Sequence, residues 1–108
     1  MTNKEIARNF YRDVWNAHSD ALLDVYVRED YIQHSPGIEQ GREGLRRMLH
    51  KFFQKEAVHD IQMILEDGDL VAVHMEVSFN DGSHARVTDI FRMVDGQMAE
   101  HWDSATRY

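Results

Sequence analysis

Three Asp-Gly pairs, Asp67-Gly68, Asp81-Gly82 and Asp95-Gly96, recur at intervals of fourteen residues in the second half of the chain. Asp-Gly tolerates the positive φ angles that a tight hairpin demands. The segments between the pairs are each long enough for a strand of roughly ten residues, near the upper end for globular proteins. From about Val58 onward the chain therefore predicts four antiparallel strands joined by three tight turns, a meander that the first half must cover.

Two-residue loops fix a register. One at Asp81-Gly82 sets His74 opposite Asp89, and one at Asp95-Gly96 sets Asp89 opposite Trp102. Cross-strand partners share a face of the sheet. His74, Asp89 and Trp102 are thus expected side by side on one face, among Ile61, Met63, Leu65, Val87, Phe91, Met93 and Met98. Glu76 and Glu100 fall on the same face, nearer its rim, while His101 and Asp103 fall on the opposite face. A one-residue bulge would exchange His101 and Asp103 with Trp102.

The first half reads as helices. Thr2-Asn3-Lys4-Glu5 fits a capping box, and a helix follows to about Ala17 with Ile6, Phe10 and Val14 as its apolar stripe, flanked by Ala7, Tyr11 and Trp15. A short helix is expected through Leu22, Leu23 and Tyr26, then a strand over Tyr31-Ile32-Gln33-His34-Ser35 that Pro36-Gly37 ends. A third helix is expected from about Arg42 to Lys55, carrying Leu45, Met48, Leu49, Phe52 and Phe53. Helices first and strands after is the α+β layer pattern, with the helices on one face of a curved, mainly antiparallel sheet. At 108 residues the chain is expected to form one domain spanning positions 1–108.

Composition removes several function classes. A net charge of -7 with scattered Lys and Arg disfavours nucleic acid and anionic membranes. No cysteine is present, so disulfides and thiol chemistry are excluded. Neither a signal segment nor a membrane span is visible, and a cytoplasmic protein is expected. In this register Val71, Val73, Met75, Val77 and Phe79, with Ile90 and Val94, form an apolar band on the outer face, which predicts a homodimer through that face.

Tyr31-Ile32-Gln33-His34-Ser35-Pro36, Gly41-Arg42-Glu43-Gly44, Asp89-Ile90-Phe91-Arg92, Val94-Asp95-Gly96 and Glu100-His101-Trp102-Asp103, in this order, resemble the SnoaL-like polyketide cyclases of the nuclear-transport-factor-2-like superfamily. The resemblance covers nearly the whole chain. It implies a conical α+β half-barrel with an apolar pocket at its open end, usually in a dimer. It also implies an acid/base aspartate on the penultimate strand, which falls on Asp89, with a histidine nearby, for which His74 is the candidate. His34 stands where the family motif places a pocket histidine, followed here by Ser35 where many members have Asn. The end of the last strand carries chemistry in related epoxide hydrolases, which keeps His101 and Asp103 as further candidates.

The expected function is cofactor-independent acid/base chemistry, namely cyclisation, isomerisation or elimination, on a small apolar carbonyl compound. Asp89 is the acid/base, His74 its partner or the carbonyl donor, and His34 a substrate positioner. Trp102, Phe91, Trp15, Tyr11 and Phe52 are the candidate pocket wall. The competing class is a module that uses the same cone to bind without turnover. His34, His74 and Asp89 could in principle ligate a metal, but no HxH or HExxH spacing supports one, and no cofactor is expected.

Overall fold

The computed structural model describes residues 1–108. Its elements run α1 (Asn3–Phe10), a π-helical segment (Tyr11–Trp15), α2 (Leu23–Tyr26), β1 (Val27–Gln33), α3 (Gly41–Phe52), β2 (Ala57–Asp67), β3 (Leu70–Phe79), β4 (His84–Val94) and β5 (Gln97–Arg107). The five strands form one sheet in the order β1-β5-β4-β3-β2, with β1 parallel to β5 and every other pair antiparallel. No helix is long and apolar enough to cross a membrane.

The capping box starts α1: the Glu5 backbone N–H donates to Thr2 Oγ1 at 3.1 Å. The helix does not continue unchanged to Ala17. At Tyr11 the ladder widens to a π segment, in which the Asn16 N–H donates to the Tyr11 carbonyl at 2.8 Å. Such widened turns are frequent at functional sites. Here one widened turn directs Tyr11 and Val14 into the core. They pack with Phe10, Leu23, Leu45 and Leu49 against Val71, Val73, Met75, Val77, Phe91, Met93 and Met98 of the sheet.

Those sheet residues correct the expected register. Only the Asp95-Gly96 hairpin closes as a two-residue loop where expected, with Val94 opposite Gln97 and both turn residues at positive φ, +50° and +77°. The next residues bulge at Ala99: Met93 pairs with Met98 but Arg92 pairs with Glu100, so Asp89 faces Asp103 and not Trp102. At the middle turn the loop is Asn80-Asp81-Gly82, because the Phe79 N–H reaches the Ser83 carbonyl at 3.0 Å while Asp81 Oδ1 takes the Ser83 N–H at 2.8 Å. One extra loop residue sets His74 opposite Thr88 and Val73 opposite Asp89. The first turn is Gly68-Asp69, which moves the pairing by two residues without changing faces, so Met63 lies opposite His74. A bulge between Ile61 and Met63 then returns Ile61 to the covered face, opposite Met75.

Because side chains alternate along a strand, each one-residue slip exchanges faces. The helix-covered face carries Asp89, His101 and Asp103 with Val71, Val73, Met75 and Val77. His74, Trp102, Glu76 and Glu100 take the outer face, against expectation. The band expected outside at Val71, Val73, Met75 and Val77 is core, at most 2% exposed. Met63 and Leu65, expected inside, are exposed on the outer face with Leu70 and Ile90.

Candidate functional site

Between the helices and the covered face lies a cavity of about 220 Å³. Its wall is mainly apolar: Phe10, Trp15, Leu45, Met48, Phe52, Val77, Phe79, Val87 and Phe91, with Tyr31 and Ile38. The polar groups that line it are Asp89, His101, Asp103, His59, Gln33 and Ser35. Few convergent polar groups on an apolar wall is the usual composition of a small-molecule site.

Asp89 is the centre of the polar cluster and is 8% exposed. Tyr11, from the π segment, donates its hydroxyl to Asp89 Oδ2. His101 Nε2 lies 2.8 Å from Asp89 Oδ1. Burial, and then the Asp89 charge, hold the Tyr11 hydroxyl well above the usual phenol range, so it remains a donor. Tyr31 is pushed up for the same two reasons in the same order.

The His101 tautomer follows from its other neighbour. His101 Nδ1 lies 2.7 Å from Gln33 Oε1. That same oxygen accepts the Ser35 backbone N–H at 3.1 Å, a group that can only donate, so the amide orientation is fixed. Nδ1 must therefore carry a proton. Nε2 and Asp89 Oδ1 share a proton across the 2.8 Å between them. Beside this pair, at the exposed end of the cluster, Asp103 Oδ1 accepts from Ser35 Oγ at 2.5 Å. Tyr31, Gln33 and Ser35 alternate along the end of β1 and point the same way, a period-two signal present in the sequence.

Asp89, His101 and Asp103 offer one donor atom each within 4.8 Å of one another, a mixed nitrogen and oxygen set that a divalent cation could use. Both ring nitrogens of His101 are already engaged, by Gln33 and by Asp89, so a cation would have to displace the Asp89 bond.

Of the expected site residues, Asp89, Phe91, Trp15 and Phe52 line the cavity, and Tyr11 supports Asp89 from behind it. His101 and Asp103 enter it through the Ala99 bulge. His74 does not: its Nδ1 lies 2.8 Å from Thr88 Oγ1 on the outer face. His34 and Trp102 leave the site together, their rings stacked at 4.9 Å and 4°. His34 Nε2 meets Glu100 Oε2 at 2.6 Å, and Arg92 meets Oε1 at 2.9 Å. These bonds, His34 first, hold the Glu100 carboxyl below its ordinary range. Glu76 stands opposite Arg86, away from the cavity.

His59 was not expected in the site. It lines the cavity opposite Val77, its ring 4.9 Å from that of Trp15. Burial pulls its pKa down from 6.5 to about 4, so it is neutral at pH 7. Its signal was alternation with Ala57 and Ile61 on β2.

Residues 7–101 match the SnoaL-like domain family. The chain belongs to that family. No curated protein matches the chain. Among solved structures, IdmH from Streptomyces antibioticus superposes with a TM-score of 0.86 at 19% identity, covering 97% of this chain and 92% of its own. A SnoaL-like polyketide cyclase from Agrobacterium tumefaciens gives 0.85 at 15% identity, over 98% and 92%. An NTF2-like protein of unknown function from Mesorhizobium loti gives 0.81 at 21% identity, over 96% and 90%. At these identities the likeness establishes the fold, an NTF2-like α+β cone with an open sheet, and the chemistry must be argued from the site.

Proposed function

We propose that this SnoaL-like protein catalyses cofactor-independent proton transfer on a small carbonyl compound, with Asp89 as the acid/base. The observation that carries the reading is a carboxylate 8% exposed on the wall of an apolar cavity, braced on one oxygen by a phenol and on the other by an imidazole. A carboxylate has about four lone-pair sites, so those two bonds leave acceptor capacity for a substrate proton. Asp89 takes a proton from the carbon beside the carbonyl and returns it elsewhere on the same molecule. His101, bonded to Asp89 Oδ1, holds the carboxylate in place while the proton is on the substrate. Ring closure, isomerisation and elimination all begin with that step. Engineered cavities of about 150 Å³ hold benzene, so 220 Å³ suits a compound of one ring with short substituents.

The step is measurable without knowing the natural substrate. In deuterium oxide, one-ring ketones and 1,3-diketones that bind the protein should exchange the proton beside the carbonyl faster than in buffer, as read by proton NMR. Asp89→Asn should slow exchange by about 10²-fold or more while changing affinity by only a few-fold. Compounds that bind wild type with no gain in exchange would refute catalysis and favour a binding module.

We also propose a homodimer through the outer sheet face, supported by Met63, Leu65, Leu70 and Ile90, which are 37 to 64% exposed there. Sedimentation velocity at micromolar concentration should show a dimer that Leu65→Glu with Ile90→Glu dissociates. A wild-type monomer would refute it.

A further inference from the structure

Two residues that line the cavity each carry a buried polar atom with no hydrogen-bond partner within the protein: Trp15 Nε1 and His59 Nδ1. An atom left unsatisfied in this way forfeits its bonds to water without replacing them, and native structures keep few of them without a purpose. These two belong to neighbouring rings, with centroids 4.9 Å apart and planes tilted by 45°. Neither takes part in the Asp89, His101 and Asp103 cluster.

The pair is also held in place. Asn16, the residue after Trp15, clasps the backbone of His59 twice: its Nδ2 donates to the His59 carbonyl at 2.9 Å, and its Oδ1 accepts the His59 N–H at 2.8 Å. The π turn that places Tyr11 places Trp15 too, and their rings stack at 6.5 Å and 21°. One segment thus positions the donor to Asp89 and one of the two unsatisfied nitrogens. A site fixed by its own backbone is pre-organised for a ligand.

The chemistry of the two atoms defines their complement. The indole N–H only donates. The His59 ring is neutral, so its nitrogen can accept or donate. A hydroxyl oxygen answers both, accepting from Trp15 and donating to His59. A carbonyl or ether oxygen can answer Trp15 but gives no proton to His59.

We propose that Trp15 and His59 form a hydroxyl-binding station, so that the cavity's ligand is a one-ring compound carrying a hydroxyl in addition to the group presented to Asp89. This rests on the reading of the cavity as a ligand site, but not on turnover. Phe52 packs on both rings, at 5.1 Å from Trp15 and 5.7 Å from His59. Both nitrogens are closed off from solvent in this structure, so neighbouring side chains must shift as the hydroxyl enters.

The test uses three one-ring probes: 4-methylphenol, 4-methylanisole and toluene. Their affinities are measured by ligand-observed NMR titration on wild type, Trp15→Phe, His59→Phe and Asp89→Asn. Wild type should bind the phenol about tenfold more tightly than toluene, as one or two net hydrogen bonds allow, with the methyl ether between. The preference should shrink to within about twofold in Trp15→Phe and His59→Phe, and persist in Asp89→Asn. Because the ratio is internal to each folded variant, changes in stability do not imitate the result. In wild type the Trp15 indole N–H resonance, assigned with Trp102→Phe, should move on adding the phenol and not on adding toluene. Equal binding of phenol and toluene would overturn the station and leave the cavity as a ligand site. A preference lost only in Asp89→Asn would place the hydroxyl at the acid/base and overturn it too. Binding of none of the three at millimolar concentration would overturn both the station and the cavity reading.

Discussion

His59 should make the protein's stability depend on pH in a defined window. The residue is 9% exposed, and burial lowers its pKa from an ordinary 6.5 to about 4. Asp89 pulls the other way but does not offset burial. As pH falls from 6.5 toward 4, the unfolded chain binds a proton at this residue and the folded chain does not, so stability falls with pH. The contribution is complete above pH 6.5, about 2 kcal/mol is lost by pH 5, and about 3 kcal/mol by pH 4, where the loss levels off. The perturbation is His59→Phe, which keeps a flat ring among Trp15, Tyr11 and Phe52 but cannot titrate. Urea unfolding of both proteins at pH 7, 6, 5 and 4 supplies the measurement. Other acids titrate in both, so the informative quantity is the wild-type loss minus the variant loss, expected to reach about 2 kcal/mol at pH 5. Parallel curves for the two proteins would show that His59 titrates normally in the fold and would refute its burial beside the cavity.

Tyr11→Phe should cost about 1–3 kcal/mol, because Asp89 Oδ2 loses its buried donor; thermal unfolding checks this, and proton exchange on bound ketones should fall with it. Gly44→Ala should destabilise by about 1–3 kcal/mol even though Ala is the better helix former. A Cβ there would sit 2.3 Å from the Glu39 backbone carbonyl oxygen, which cannot move without shifting the start of α3. An unchanged melting temperature would show that the loop before α3 yields freely. Gly96→Ala should cost about 1 kcal/mol, because φ is +77° in a turn that also holds Asp95 at +50°; chemical denaturation reads it.

The layer order, the capping box, the four-strand meander and Asp89 on the covered face were all legible in the sequence. Each follows from local chemistry: turn residues, amphipathic spacing and one acidic side chain in an apolar strand. The companions of Asp89 were not legible, and the reason is arithmetic. Asn80 enters the middle loop and Ala99 bulges, so each hairpin slips by one residue. Each slip exchanges faces, and together they send His74 and Trp102 outside and bring His101 and Asp103 inside. Turn type depends on which carbonyl the Asp81 side chain lets the backbone reach, and a dipeptide motif does not encode that. The apolar residues did carry a warning: Val71, Val73, Met75, Val77 and Phe79 alternate with Ala72, His74, Glu76 and Ser78, the pattern of a strand whose first set is core. From the sequence alone Tyr11 reads as wall, because its hydroxyl partner, Asp89, lies 78 residues away.

The most direct test of Asp89 as the acid/base is a crystal structure of the protein with a bound one-ring 1,3-diketone. The carbon between the carbonyls is expected within about 3.5 Å of an Asp89 carboxylate oxygen, with Tyr11 and His101 still bonded to that carboxylate. A diketone seated on the outer face near His74 and Trp102, or held in the cavity by Asp103 alone, would contradict the assignment.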